Sequence, residues 1–239
     1  MSLVFTTTSC DMDLTPDSAV PEHEALRTID DCDAWVVGIY SAFKNSALYS
    51  GYMTLLPDIQ ADMAYAALNT NNGFYTNIYQ WDIKSTTDEI IAVYNGLYTI
   101  VARCNFFLDY KDQVEVNLKT TADKDNFKKR LGEVYFARAM AYAELIRLFC
   151  EPMTSVNADT ENMGICLPTT YRDDVPKVKR STLRESYNQI ISDLKSAEDN
   201  LPDSRTVADS HYFSKGAVYA LRARIYMYMG MGDLKRDRN

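Results

Sequence analysis

The sequence is poor in the residues that break a chain. Only 7 prolines and 9 glycines occur in 239 positions. That is too few for the many tight turns of a β-sandwich, and it leaves helices as the expected structure. Histidine is scarcer still, with His23 and His211 alone. None of the five cysteines (Cys10, Cys32, Cys104, Cys150 and Cys166) falls in a CxxC pair, which argues against a zinc site. No stretch approaches the roughly 18 consecutive apolar residues of a transmembrane helix. A basic stripe is missing as well: 25 Lys and Arg against 33 Asp and Glu leave a net charge of −8, so nucleic acid is a poor partner. Nor is there a Ser-His-Asp order, a glycine-rich phosphate loop or a metal motif, and no cofactor is implied.

What is present is a core and helical patterning. Hydrophobic residues make up 46%, enough for one large domain or two small ones. Thr86-x-x-Glu89 has the form of a capping box, and Ile90, Tyr94, Leu97, Val101, Cys104 and Leu108 follow on one helical face. A helix over about 126–149 carries Phe127, Leu131, Val134, Ala141, Leu145 and Leu148, and a second stripe through Tyr135, Ala139, Tyr142, Ile146 and Phe149 implies cover on two sides. Thr182-x-x-Glu185 opens a third, with Leu183, Tyr187, Ile190, Leu194, Ala197 and Leu201 before Pro202. A fourth, over 214–229, sets a groove of Gly216, Ala220 and Ala223 beside a ridge of Val218, Leu221, Ile225 and Tyr228. An earlier helix over about 29–48 holds Trp35, expected in the core. The spacing predicts an all-α fold of tetratricopeptide-like helix hairpins with long intervening loops and few or no strands.

The first nine residues end in Thr7-Thr8-Ser9 before Cys10. An apolar run, small residues and then a cysteine suit lipoprotein processing, so 1–9 read as a signal-peptide remnant with added residues at its start, and Cys10 as the lipidated position. Residues 10–27, opening Asp11-Met12-Asp13, read as an extended tether, and 28–239 as the helical domain. Several acyl chains on one cysteine hold a protein firmly to a membrane. Cys32, Cys104 and Cys150 lie in helical patterns where buried thiols are the default; Cys150 and Cys166 flank a loop, and the sequence leaves open whether they pair.

Residues 69–82 are the candidate binding segment. Phe74, Tyr75, Tyr79 and Trp81 fall within eight positions among amides that include Asn72 and Asn77. Pyranose C–H faces stack on aromatic rings, and amide side chains both donate to and accept from hydroxyls. The competing reading is that Tyr79 and Trp81 pin a loop to the helices. A glycosidase would need two carboxyls converging at roughly 5–9.5 Å, whereas Glu133 and Glu144 stand three turns, about 16 Å, apart on one helix. An internal ion pair, or a cap for Arg138, is the expectation for Glu133, and no catalysis is expected.

With the helices placed, the sequence resembles the SusD/RagB-like lipoproteins. The matching pieces are Val93-Tyr94 through Cys104-Asn105, Gly132-Glu133-Val134-Tyr135-Phe136-Ala137-Arg138-Ala139, Ile190 through Leu201-Pro202, and the Ala217-to-Tyr226 pattern. The resemblance implies an outer-membrane, outward-facing lipoprotein, anchored at Cys10, that binds an oligosaccharide and lids a TonB-dependent, SusC-like transporter. Family members are about twice this length, so the C-terminal half of the family has no counterpart in this sequence, and Cys150-Glu151-Pro152-Met153 departs from the family's usual loop. The alternative is a helical-repeat adaptor that binds protein and not sugar.

Overall fold

Threonine followed three residues later by an acid starts three of the helices. In the computed structural model, which describes residues 21–66, 73–171 and 179–230, Thr28, Thr120 and Thr182 each accept from the backbone N–H three positions on. The side chains of Asp31, Asp123 and Glu185 accept in return from the capping residue's own N–H. Each exchange satisfies two otherwise unpartnered donors and stabilises its helix by about 1 kcal/mol. The helices so started are α1 (Ile29–Phe43), α5 (Thr121–Phe149) and α6 (Leu183–Asn200). Between them lie α2 (Tyr52–Gln60), α3 (Thr76–Tyr79) and α4 (Asp88–Glu115), and α7 (Lys215–Met229) follows. Among the described residues there is no strand, only an isolated bridge between Cys166 and Arg180. The fold is all-α. Cys10, residues 11–20 of the tether and Asn72 lie outside the described residues; at the tether's end Glu22–Glu24 form a short 3-10 turn and Leu26 is buried in the core.

The boundaries correct the sequence expectation in four places. The box at Thr86 and Glu89 does not form: α4 is capped at Thr87, which makes no capping bond, because its Oγ1 accepts from the Lys84 N–H at 3.0 Å and closes the preceding turn. α1 stops at Phe43 rather than near 48, the chain turning so that Ala47 and Leu48 enter the core separately. α5 starts at Thr121, five residues early. The helices α2 and α3 were not expected at all.

α5 is the central helix. It packs against α4, α6 and α1, and α7 packs mainly on α6. Val134, Ala139, Ala141, Tyr142 and Leu145 are completely or almost completely buried along it, which explains the two apolar stripes. Gly132 lets the end of α6 come close: a Cβ there would sit 2.8 Å from Leu201 Cγ. By length and composition α4 could cross a membrane, but Leu97, Ile100, Val101, Cys104 and Phe107 are all buried against its neighbours, as befits a core helix. Trp35 is half-buried, stacked on Phe106 at 4.3 Å, with its indole N–H donating to the Arg103 carbonyl at 2.9 Å.

Charged residues in this core are all paired. Arg138 donates from Nε and Nη2 to the two Asp193 carboxylate oxygens at 2.9 and 2.7 Å, and from Nη1 to Asn105 at 2.8 Å. Glu133 is not its partner, contrary to one of the sequence expectations; it lies between Arg130 and Arg205. Burial pushes both the Asp193 and Glu133 carboxyls above their ordinary values while the arginines pull against it. Cys32 and Cys104 are buried thiols, and burial pushes the Cys32 thiol up to about 12. Cys150 is a free thiol whose sulfur lies 3.7 Å from Arg180 Nη2, so a Cys150–Cys166 bridge is not formed.

Candidate functional site

A small lobe stands apart from the main core. Leu56 and Ile59 of α2 and Ile78 of α3 form its buried centre, with Tyr52, Ala64, Tyr75, Tyr79 and Ile83 packed around them. The aromatic segment read from the sequence builds half of this lobe, and the structure divides its residues. Tyr75 and Tyr79 are half-buried on the lobe's own centre. Phe74 and Trp81 face outward, 61% and 64% exposed. Asn77 is half-buried and its carbonyl closes α3. Tyr79 thus packs on the lobe's centre, while most of the Trp81 ring is in solvent.

The backbone explains why Trp81 points out. The Asp82 N–H donates to the Asn77 carbonyl at 2.8 Å and the Trp81 N–H to the Ile78 carbonyl at 3.1 Å. This is the paired closure that ends many helices with a left-handed residue, a position glycine favours. Here that residue is Trp81, at φ 58°. The other end of the same short helix is also left-handed, with Tyr75 at φ 59°, and Asp62 at φ 57° closes α2 in the same way. Three of the four non-glycine residues at positive φ among the described residues thus sit in this one lobe. A bulky side chain there costs on the order of 1–2 kcal/mol, and such strain clusters at functional surfaces. Thr76 adds to it with a buried hydroxyl that has no hydrogen-bond partner among the described residues.

Two exposed residues were missed in the sequence: Met63 and Tyr65, each 80% exposed just after α2. With Phe74 and Trp81 they give the α2–α3 region four large, exposed apolar side chains. The signal was the Met63-Ala64-Tyr65 run a few positions upstream of the amide-rich stretch. Rings also continue inward: Phe74 meets Tyr75 at 6.2 Å, and Tyr75 meets Tyr52 edge-on at 6.2 Å. Tyr52 in turn lines a cleft of about 330 Å³ between α2, the 83–85 turn and the ends of α4 and α5.

The two carboxylates compared above for a glycosidase are both paired within the helical body. Glu133 is held by two arginines, and Glu144 accepts from Arg147 Nε at 2.7 Å and from the Tyr49 hydroxyl at 3.2 Å. Among the described residues no three His, Cys, Asp or Glu side chains converge as a metal site requires. The lobe's aromatic faces can stack on a ligand, and its amide and hydroxyl groups can hydrogen-bond to one.

Residues 12–227 match a family of SusD-like proteins described as starch-binding and associating with the outer membrane. SusD-like protein P2 of Formosa agariphila is 22% identical over 239 residues, covering 98% of this chain and 43% of that protein. Among solved structures, a SusD superfamily protein from Bacteroides fragilis is 25% identical, with a TM-score of 0.71 over 87% of this chain and 48% of that one. A laminarin-binding SusD-like protein is 18% identical, with a TM-score of 0.65 over 87% of this chain and 42% of that one. The chain thus spans less than half the length of these relatives.

Proposed function

Because the chain belongs to the SusD-like family, described as starch-binding and associating with the outer membrane, we propose that it binds an oligosaccharide on the α2–α3 lobe, without catalysis. Phe74, Tyr75 and Trp81 supply the stacking faces, and Asn72 and Asn77 meet the hydroxyls, with Tyr79 setting the lobe's shape. The observation that carries the reading is Trp81 itself. It is 64% exposed in a left-handed position that glycine would fill without strain, so its ring is held outward at the expense of stability. The captured saccharide would pass to a SusC-like TonB-dependent transporter, with Cys10 carrying the lipid anchor on the outer face of the outer membrane. The family's description supports the membrane association, and the acidic tether after Cys10 supports the anchor.

A β-glucan is the first ligand to try, since one structural neighbour is a laminarin-binding protein. Calorimetric titration of laminarin oligosaccharides, followed by other neutral glucans, into wild type and Trp81→Ala tests the site. Saturable binding in wild type, weakened about tenfold or more by the substitution, is the expected result. Equal binding by the two proteins would move the site away from the lobe. The adaptor reading draws on α7, where Tyr219 and Met227 face outward; saccharide binding by the protein alone decides against it.

A further inference from the structure

The cleft beside the lobe has walls of a different chemistry from the lobe's surface. Nine of its twelve lining residues are apolar or aromatic, among them Leu56, Pro57, Ile90, Val93 and the rings of Tyr52 and Phe149. The polar lining residues are Gln60, Lys84 and Ser85, and the Lys84 ammonium is paired with Asp82 at 3.3 Å. A sugar ring lodged inside would press hydroxyls against aliphatic carbon with few partners, and each such hydroxyl would oppose binding. A planar apolar group meets no such opposition: two aromatic walls suit its faces and edges, and about 330 Å³ is at the small end of ligand cavities. The cleft is also continuous with the lobe, because Tyr52 lines it and meets Tyr75 edge-on.

Resting on the saccharide reading of the lobe, we propose that the cleft is a subsite for an aryl or aromatic-acyl substituent carried by the saccharide. The ligand class is then a substituted glycan: its sugar lies on Phe74, Tyr75 and Trp81, and its aromatic group enters past Tyr52. Gln60 and Ser85 line the cleft as hydrogen-bonding groups for the ester or glycosidic oxygens that join the two parts.

The test is a matched pair of ligands, a gluco-oligosaccharide and its p-nitrophenyl glycoside, titrated into wild type and Ser85→Trp. Ser85 is exposed at the cleft, so a tryptophan there occupies the space from the rim; Gln60→Trp serves as the second variant, and melting temperatures establish that each folds. Wild type should bind the aryl glycoside about tenfold or more tightly than the plain sugar, and the tryptophan variants should reduce that ratio to less than about twofold. Equal affinities in wild type would overturn the subsite while leaving the lobe's saccharide binding intact. A ratio that survives both variants would overturn it as well. Binding of the aryl glycoside alone, abolished by Ser85→Trp, would retain the cleft and sink the saccharide reading of the lobe. If neither ligand binds, both fail.

Discussion

At position 81 folding and binding pull in opposite directions. Because the Trp81 ring is mostly in solvent, Trp81→Ala should change folding stability by no more than about 0.5 kcal/mol, against roughly 3–5 kcal/mol for a core tryptophan. Loss of one stacking partner should weaken saccharide binding by about 1–2 kcal/mol. The left-handed backbone adds a sharper comparison: Trp81→Gly should be more stable than Trp81→Ala by about 1 kcal/mol, because only glycine adopts that φ without strain. Thermal melts of the three proteins check the order. Arg138 and Asp193 behave differently, both being buried in one bidentate pair. Removing either alone, as Arg138→Met or Asp193→Leu, leaves a charge stranded in the core and should cost about 3–5 kcal/mol. The double substitution should cost less than either single one, since burial holds the Asp193 carboxyl above its ordinary value even with its partner present. Urea midpoints of the singles and the double measure this.

At the scale of the helices, Thr86 and Thr182 look alike in the sequence, each three residues before a glutamate. They differ in the structure. Thr182→Ala should cost about 1 kcal/mol, while Thr86→Ala should cost well under half of that; denaturant titration of the two variants makes the comparison. Adjacent threonines hid the difference, since nothing local says that Thr87 will be the capping residue or that Lys84 will claim its hydroxyl. The long helices were legible because Leu97, Val101, Cys104, Val134, Leu145, Ile190 and Leu194 recur at helical spacing and are in fact buried. α2 was not, with nine residues and Pro57 inside it giving too short and too interrupted a period. α3 was hidden for another reason: its single turn is flanked by left-handed Tyr75 and Trp81, residues that sequence propensity does not place there. The early start of α5 was masked by a polar first turn, Thr121-Ala122-Asp123-Lys124-Asp125, which has no apolar rhythm. The aromatic cluster of the candidate site could be read from composition. Its division into outward Trp81 and inward Tyr79 could not, because that depends on the sign of one backbone angle. The cleft was also out of reach, since its walls come from α2, α4 and α5, spread along the chain from Tyr52 to Phe149. Gly132→Ala, by contrast, tests a position the sequence motif contained: a Cβ 2.8 Å from Leu201 should force α5 and α6 apart and cost about 1–3 kcal/mol, read as a lowered melting temperature.

The described residues form a helical body with one strained aromatic lobe, and the chain spans less than half the length of these relatives. Its two tryptophans report on different parts. Trp35 is half-buried and stacked on Phe106 against the body, and Trp81 stands mostly in solvent on the lobe. Acrylamide quenching of tryptophan emission therefore separates them, the accessible fraction belonging mainly to Trp81 and missing from Trp81→Ala. Quenching measured with and without a saturating neutral oligosaccharide is the most direct test of the lobe as a saccharide site. The expected result is that the sugar shields the accessible fraction and lowers wild-type quenching toward the level of Trp81→Ala. A saccharide that binds by calorimetry yet leaves the quenching unchanged would contradict it.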